Sequence, residues 1–421
     1  MDLNPKCRDK IIALLGKGVD IRSPSTLDIG EEVNTDNISG SNVVIYPGCR
    51  IVGEKTAIAA DARLGYEGPA TVDNCQVGPG VELRGGFFTQ SVFLEKASMG
   101  LGAHVRAGCI LEEQANGAHC VGLKQTILFP FVTLGSLINF CDCMMAGGTS
   151  RKDHSEVGSS YIHFNFTPEG SKATASLIGD VPRGVMLNQP PVFLGGQGGM
   201  VGPLRLGYGN VVAAGTILRS DVLDTRKLII GKTYRGAIVD YVPGLTTGLS
   251  RVVKNNILYL ANLAALEQWY THVRRPFFSS MEHGELIYAG ALEKLAMARR
   301  ERIDRLAAMA EKMSETAGGA ENGRRGEAMD GRGEFMRSAP RLRDHFGGEQ
   351  AAGDVEGAGE RDRFLAALQQ RRGDCGGGYI DTIQGLPPAA AADGVQWLEW
   401  VVDGVFRKAA ALLPSLLLMK K

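Results

Sequence analysis

The stretch that decides the fold is MVGPLRLGYGNVVAAGTILRSDV, residues 200–222. Aliphatic residues recur in it every six positions with small residues between them: Met200, Leu206, Val212 and Leu218. A period of six fits neither the 3.6-residue repeat of a helix nor the two-residue alternation of one continuous strand. It fits a short strand followed by a tight corner, repeated many times.

Echoes of this period lie upstream, from about residue 18 onward, in the pairs Ile45 and Ile51, Val77 and Leu83, Met99 and Val105, and Val121 and Ile127. Three such units close a triangular coil, and stacked coils pair their backbone groups with the coil above. The sequence therefore predicts a mainly β protein, a left-handed parallel β-helix over residues 18–242. A β-sandwich also accommodates glycine-rich alternation, but the regularity of residues 200–222 favours the β-helix. Segments 84–98, 107–120 and 145–176 break the period and are expected to protrude as loops, where ligand sites commonly lie.

Helical periodicity replaces the six-residue period after Pro243. Apolar residues recur three or four positions apart over 251–273 and again over 285–313, as on the buried face of a helix. Residues 314–360 have few large apolar side chains and are expected to be a disordered linker. The predicted organisation is an N-terminal helix (1–17), the β-helix (18–242), a helical region (243–313), this linker, and a C-terminal helical segment (361–421).

Composition limits the classes of protein that the chain can be. Lysine plus arginine equal aspartate plus glutamate at 46 each, so no overall field would hold the chain on nucleic acid or on an anionic membrane. Glycine reaches 56 of 421 residues, which suits a fold made of repeated corners. The eight cysteines form no CxxC pair, which indicates reduced thiols. No signal peptide is visible, and LLPSLLLM near the C-terminus is too short to span a bilayer, so a cytoplasmic protein is expected.

Two stretches carry a family resemblance. GVDIRSPSTLDIG (18–30) and SSYIHFNFTPEGSKATASLIGD (159–180), followed by the AAGT coil of 206–222, resemble a hexapeptide-repeat acyltransferase. The similar protein is the acetyltransferase half of the bifunctional glucosamine-1-phosphate acetyltransferase/N-acetylglucosamine-1-phosphate uridyltransferase, which takes part in UDP-N-acetylglucosamine synthesis. The resemblance implies a homotrimer that uses acetyl-CoA and binds a sugar phosphate at subunit boundaries. The glycine-rich nucleotide loop and following lysine of the uridyltransferase half do not appear in this sequence, so that activity is not expected.

The resemblance also implies roles for individual residues. Asn165 and Phe166 match an Asn-Tyr pair that lines the acetyl-CoA and amine pocket, and Ala214, with Ser159, is assigned to acetyl-CoA. Lys172 matches a lysine that contacts the sugar phosphate, and Lys124 falls near a second one. A lysine ammonium suits a phosphate as a point charge, although a solvated loop lysine is the alternative for Lys172.

The place of the family's general base falls on Phe140, which cannot accept a proton. Acyl transfer from a thioester to an amine needs a base with a pKa near neutrality. His154 could replace it, because Glu156 shares its strand face and could orient the imidazole. His163 is a second candidate, on the polar face of a strand that also carries Tyr161 and Asn165. For both histidines, a structural hydrogen-bonded role is the alternative.

Positive charge in the same segment comes from Arg151 and Lys152, which suit a phosphate or nucleotide or form a solvated basic tip. The sequence therefore predicts an acyl-CoA-dependent transferase acting on an amino sugar phosphate or a nucleotide sugar. The alternative is a non-catalytic β-helix that binds a nucleotide sugar or serves as an assembly scaffold, with the C-terminal tail recruiting a protein partner. No metal site, nucleic-acid partner or membrane partner is predicted.

Overall fold

The computed structural model describes residues 5–165, 172–231, 236–238, 248–317, 328–347, 357–375 and 377–417. Thirty-one short strands follow one another along the chain up to residue 229. They are β1 Asp20–Ile21, β2 Asp28–Ile29, β3 Val44–Ile45, β4 Arg50–Val52, β5 Ala57–Ile58, β6 Arg63–Leu64, β7 Ala70–Asp73, β8 Gln76–Val77, β9 Glu82–Leu83, β10 Gly86–Thr89, β11 Ser91–Phe93, β12 Ser98–Met99, β13 Ala103–Val105, β14 Cys109–Leu111, β15 Asn116–Gly117, β16 Gly122–Lys124, β17 Ile127–Leu128, β18 Thr133–Leu134, β19 Asn139–Cys141, β20 Cys143–Met145, β21 Gly148–Ser150, β22 Asp153–His154, β23 Glu156–Val157, β24 Ile162–Phe164, β25 Ser176–Ile178, β26 Phe193–Leu194, β27 Gly199–Val201, β28 Arg205–Leu206, β29 Val211–Val212, β30 Ile217–Leu218 and β31 Leu228–Ile229.

All of these strands except β21 and β22 stack into three sheets that form the walls of a prism. Sheet A has the order β1-β3-β6-β9-β12-β15-β18-β23-β26-β29-β31, sheet B the order β2-β4-β7-β10-β13-β16-β19-β24-β27-β30, and sheet C the order β28-β25-β20-β17-β14-β11-β8-β5. The chain visits A, B and C in turn, and neighbouring strands of a sheet are parallel, as β3 with β6 and β6 with β9. The predicted β-helix is confirmed.

Each wall presents one row of side chains to the interior. In sheet A the second residue of most strands is buried, including Ile45, Leu64 and Leu83. The corners are tight, and several are formed by residues with positive φ, for example Asn74 and Asp142. Side chains in these rows stack on their counterparts one coil away, about 4.8 Å distant, so the core is a column along the prism axis.

Two of the three segments expected to be loops are ordinary coils. Residues 84–98 contain β10 and β11, and residues 107–120 contain β14 and β15, all in register with the coils on either side. The six-residue period slips there because coil length varies: Arg63 pairs with Glu82, 19 positions on, while Glu82 pairs with Ser98, 16 positions on. Only the third segment, 145–176, leaves the wall, as the antiparallel hairpin β21–β22.

Helices lie at the N-terminal end of the prism and along one of its walls. They are α1 Pro5–Lys17, α2 Val181–Gly184, α3 Leu249–Trp269, α4 Arg275–Phe278, α5 Gly284–Ala317, α6 Ala328–Gly347, α7 Ala358–Cys375, α8 Tyr379–Gln384, α9 Pro388–Leu412 and α10 Pro414–Leu417. A single π-helical turn, Tyr270–Arg274, joins α3 to α4. Helix α1 covers the open end of the first coils with Ile11 and Leu14, as a terminal cap must.

The C-terminal helices cover sheet C. Helix α5 contacts β8, β11 and β14, and α3 contacts β25, while α9 packs on α3 and α7. The predicted helical extension is confirmed, and the structure adds that it lies against one wall of the prism.

Part of the segment predicted to be a disordered linker is a helix. Helix α6, Ala328–Gly347, lies within residues 314–360, and it packs against α5. Its few apolar side chains are placed three to four residues apart and are buried: Phe335, Ala339, Leu342 and Phe346. The segment is helical despite its low apolar content, because four apolar side chains on one face suffice to bury a helix against a neighbour. Residues 318–327 and 348–356 lie outside the described residues. Within the described part of the chain, every helix is too short or too polar to cross a bilayer.

Candidate functional site

The predicted substrate lysines lie at the corner between sheets B and C. Lys124 ends β16, and its Nζ is 3.8 Å from Glu301 Oε1 of α5. Lys172 precedes β25 and has an exposed side chain, while its backbone carbonyl accepts a hydrogen bond from Arg302 of α5 (3.4 Å). Asn165 is exposed at the same corner, directly after β24. Phe166 lies outside the described residues.

A buried ion pair closes this corner from the side of the helices. Arg302 Nη2 donates to Asp142 Oδ1 (2.5 Å), and Thr174 Oγ1 donates to Asp142 Oδ2 (3.2 Å). Burial raises the pKa of Asp142, and the guanidinium opposes that rise. Asp142 therefore neutralises Arg302. Lys172 is exposed at this corner, and Lys124 is partly exposed beside Glu301.

His163 is turned into the protein. The expected alternation of side chains in β24 is present, but its polar face points inward: His163 is 5% exposed and Ile162 is 44% exposed. The Nδ1–H donates to the Cys141 carbonyl (2.6 Å), which leaves Nε2 as acceptor for the Ser176 hydroxyl (3.0 Å). Burial lowers the pKa of His163 to about 4. Both ring nitrogens are therefore occupied by neutral structural bonds.

Phe140, at the place that the resemblance gives to a general base, belongs to the core. Its side chain is 0% exposed and its ring meets Tyr161 edge-on at 6.1 Å between centroids. Phe140 belongs to the inward-facing row of sheet B, whose side chains pack in the core. A general base would therefore have to come from another element.

The hairpin β21–β22 supplies the other predicted residues, at the corner between sheets C and A. Arg151, at its tip, reaches back over the preceding coils. Its Nη1 donates to the carbonyl oxygens of Gln114 (3.1 Å) and Phe131 (2.7 Å) and to Thr133 Oγ1 (2.9 Å). These bonds hold the hairpin along the corner. Lys152 beside it is exposed.

His154 ends the hairpin β21–β22. The side chain is half-buried, and its Nδ1 is buried without a hydrogen-bond partner among the described residues. Glu156 begins β23 two residues on and is exposed. Asp153 turns away to accept a hydrogen bond from Thr149 Oγ1 (2.8 Å). Of the two predicted histidines, His154 is the one with a ring nitrogen that lacks a hydrogen-bond partner among the described residues, and that nitrogen is buried.

The residues assigned to acetyl-CoA lie at the third corner, between sheets A and B. Ser159 accepts a hydrogen bond from the Ser136 backbone (3.2 Å), and Ala214 is exposed in the turn between β29 and β30. The predicted site residues thus occupy all three corners of the prism. One chain alone does not bring them together, whereas corners of neighbouring prisms could meet.

Sequence reasoning missed a buried charged cluster at the corner between sheets C and A. Arg274, in the π-helical turn, donates through Nη2 to Glu113 Oε1 and places Nη1 3.7 Å from Glu112 Oε1. Tyr270 O–H donates to the same Glu112 oxygen (2.6 Å), and the Tyr379 ring lies 3.9 Å from the guanidinium carbon. Burial raises the pKa of Glu112, with Arg274 opposing the rise.

Beside this cluster is a cavity of about 940 Å³. Glu113, Arg274 and Tyr379 of the cluster line it. The rest of its lining includes Glu95 of the β-helix corner, Phe277 of α4, Met281 between α4 and α5, and Leu365 and Arg372 of α7. Helix α8 links the cavity to the hairpin, since Tyr379 begins it and Gln384 ends it with a hydrogen bond to the Thr149 carbonyl (2.6 Å). The sequence signal was LEEQ (111–114), two adjacent acids amid aliphatic residues, together with the cationic VRRP (273–276).

The described residues contain no group of three or more histidine, cysteine, aspartate or glutamate side chains able to hold a metal ion.

The sequence matches several curated proteins over about half its length. It is 27% identical over 236 residues to the bifunctional protein GlmU of Carboxydothermus hydrogenoformans, covering 56% of this chain and 47% of that protein. The chain is a distant homologue of GlmU. It is also 26% identical over 214 residues to GlmU of Thermotoga maritima, covering 51% and 42%, and 28% identical over 220 residues to GlmU of Koribacter versatilis, covering 52% and 41%.

The chain spans less than half the length of these GlmU proteins. No protein-family model matches it. The homology and the β-solenoid together relate the chain to the hexapeptide-repeat acyltransferase superfamily.

Proposed function

We propose that the protein is a CoA-dependent acyltransferase, with acetyl-CoA as donor and an amino sugar phosphate or nucleotide sugar as acceptor. The observation that carries this proposal is the distant homology to GlmU over half the chain, in a protein that has the parallel β-solenoid of acyltransferases of this type. The proposal takes its cations from one corner, where Lys172 is exposed and Lys124 is partly exposed, and its base from another, where His154 lies.

In the proposed reaction, the acceptor's amine nitrogen attacks the thioester carbonyl carbon, the carbon–sulfur bond breaks, and the products are an amide and free CoA thiol. His154 takes the proton that the amine must lose, and Glu156 orients the ring. Lys124 and Lys172 hold the phosphate as point charges. The backbone at Ala214, where no side chain extends beyond Cβ, receives the pantetheine arm.

The proposed site requires a homotrimer, because its parts lie at different corners of one prism. An exposed apolar row on sheet A supports such an assembly: Phe193, Val211 and Leu228 are directly paired in register and are 38%, 42% and 65% exposed. The same outward row is mostly polar in earlier coils, where it carries Asp20 and Arg63. Contiguous apolar surface of this kind marks a protein–protein contact.

The test is thiol release. The purified full-length protein, offered acetyl-CoA and a panel of amino sugars, amino sugar phosphates and amino nucleotide sugars, is expected to release CoA thiol with at least one acceptor. His154→Ala should lower kcat by about 100-fold or more, the usual contribution of a general base. His104→Ala, a change at an exposed histidine of sheet B, is the matched control and should leave the rate unchanged.

The second candidate function is a non-catalytic β-helix that binds a nucleotide sugar or acts as a scaffold. The burial of Phe140 in the core favours it, because no base occupies that position. If no acceptor releases thiol and acetyl-CoA does not bind, while the protein still assembles into a defined oligomer, the scaffold is the correct function and the acyltransferase proposal is wrong.

A further inference from the structure

We propose that the cavity at the corner between sheets C and A is a nucleotide-binding site. In this proposal a nucleobase inserts beside the Glu113–Arg274 pair, and the phosphate lies at Arg372 on the rim. The inference does not depend on acyl transfer, since it rests on the contents of the cavity alone.

The buried pair of Glu113 and Arg274 has unused hydrogen-bonding capacity. Glu113 Oε2 and Arg274 Nη1 are both buried without a hydrogen-bond partner among the described residues. Leaving buried polar groups unsatisfied is costly, so such atoms in a native protein call for a missing partner. One atom is an acceptor and the other a donor, and both residues line the cavity.

These two atoms restrict the shape of a ligand that could satisfy both of them. It must present a donor and an acceptor side by side, as the Watson–Crick edge of every nucleobase does. An inorganic anion would serve only Arg274, and a simple cation only Glu113. The pair therefore favours a polar planar edge over either kind of ion.

Aromatic side chains line the cavity. Phe277 is half-buried at the cavity, with Tyr379 edge-on to it at 5.5 Å between centroids. Aromatic faces of this kind stack on bases regardless of sequence. The apolar wall is completed by Leu365 and Met281, and the volume of about 940 Å³ lies within the range of small-molecule sites.

The rim supplies the charge that a phosphate needs. Arg372 is exposed and is held in place by a hydrogen bond from Nη2 to the Pro276 carbonyl (2.9 Å) and by the Phe277 ring, 5.2 Å away. Among the described residues, no further hydrogen bond or ion pair of this guanidinium is found, and its other nitrogens could meet an anionic group. The π-helical turn that delivers Arg274 is itself a rare conformation that occurs frequently at functional sites.

Isothermal titration calorimetry on the full-length protein tests the proposal with UMP, CMP, AMP and GMP, and with ribose 5-phosphate as the ligand that lacks a base. At least one mononucleotide should bind with a dissociation constant below about 1 mM, and ribose 5-phosphate should bind at least about tenfold more weakly. The ranking of the four bases then identifies the preferred edge.

Variants locate the binding. Met281→Trp fills the cavity and should abolish binding, while Phe277→Ala removes the stacking ring and should weaken it by about tenfold or more. Val402→Trp is the matched control, because Val402 lines a separate cavity of about 500 Å³ against α9, and it should bind as the unaltered protein does. Thermal unfolding verifies that each variant is folded.

Three results would overturn the proposal: no heat of binding with any of the four mononucleotides, equal binding of ribose 5-phosphate, or unchanged binding in both cavity variants. None of these results bears on thiol release from acetyl-CoA, so failure here and failure of the acyltransferase proposal are distinguishable.

Discussion

At the scale of single residues, the histidines show how position decides chemistry. His154 and His163 lie nine positions apart, the first in the corner hairpin β21–β22 and the second in β24 of sheet B. One is half-buried with an unpartnered nitrogen, and the other is enclosed with both nitrogens bonded. Protonation of His163 would break a bond that holds the coil together, whereas no hydrogen bond of His154 Nδ1 is found among the described residues.

Enclosure of His163 makes stability depend on pH. The folded-state pKa of about 4 lies below the ordinary value of 6.5, so the unfolded chain binds the proton first as pH falls. Above about pH 6.5 His163 is neutral in both states, and the free energy of unfolding does not depend on its protonation. Between about pH 6.5 and pH 4 the free energy of unfolding falls progressively, by up to about 3 kcal/mol. Urea unfolding of the protein and of His163→Asn across this window should show a smaller loss in the variant.

The matched control for that series is His104→Asn, at an exposed position of sheet B. Its unfolding free energy should follow the unaltered protein at every pH. Parallel curves for His163→Asn and the unaltered protein would show that His163 is not enclosed as described.

The buried cluster gives a second prediction at this scale. Arg274→Met leaves Glu113 without its cation inside the protein, and removing one partner of a buried ion pair typically costs about 3–5 kcal/mol. Urea unfolding should show a loss of that order. Arg363→Met, which breaks an exposed ion pair with Asp393, is the control and should change the unfolding free energy little. Equal effects of the two changes would contradict the structural role of Arg274.

At the scale of elements, the notable feature is a helical layer against a β-helix wall. Helices are about 10 Å wide and strands of one sheet about 4.8 Å apart, so a helix meets several coils at once. Close approach requires small residues on the helix. Gly290 of α5 is such a residue, because a Cβ there would overlap the carboxamide of the buried Gln76 on β8.

Replacing that glycine tests the packing. Gly290→Ala should lower the unfolding free energy by about 1–3 kcal/mol, because Gln76 must give up its hydrogen bond to the Lys55 carbonyl (2.7 Å). Gly404→Ala on α9, where a Cβ meets nothing within 4 Å, should raise it by up to about 1 kcal/mol through helix propensity. A stabilising Gly290→Ala would mean that α5 does not approach sheet C so closely.

At the scale of the whole molecule, the described C-terminal helices lie against one wall of the prism, sheet C. The apolar row on sheet A is confined to the last coils, next to the turn that carries Ala214. Contacts between copies of the chain would therefore form near the place proposed for acetyl-CoA.

Charge introduced into that row tests the proposed trimer. The double variant Phe193→Glu/Val211→Glu should be monomeric by size-exclusion chromatography with light scattering, because burying two carboxylates in an interface is unfavourable. Val44→Glu lies in the same outward row several coils earlier and should leave the trimer intact. A monomeric unaltered protein, or a double variant that remains trimeric, would contradict the proposed interface.

What the sequence determined is the repeated coil and the helical extension. The six-residue period at Met200, Leu206 and Val212 is local, and it requires only that an aliphatic side chain point inward once per turn. The period is visible in the sequence because the inward-facing residue of every coil packs in nearly the same environment.

What only the tertiary structure decided is which groups meet across long separations. The pairing of Glu113 with Arg274 joins residues 161 positions apart, and that of Asp142 with Arg302 joins residues 160 apart. Alternation in β24 showed two faces, but which face is enclosed depends on the coils stacked on either side. The physical reason is that burial and charge pairing depend on what packs from elsewhere in the chain, which local periodicity does not encode.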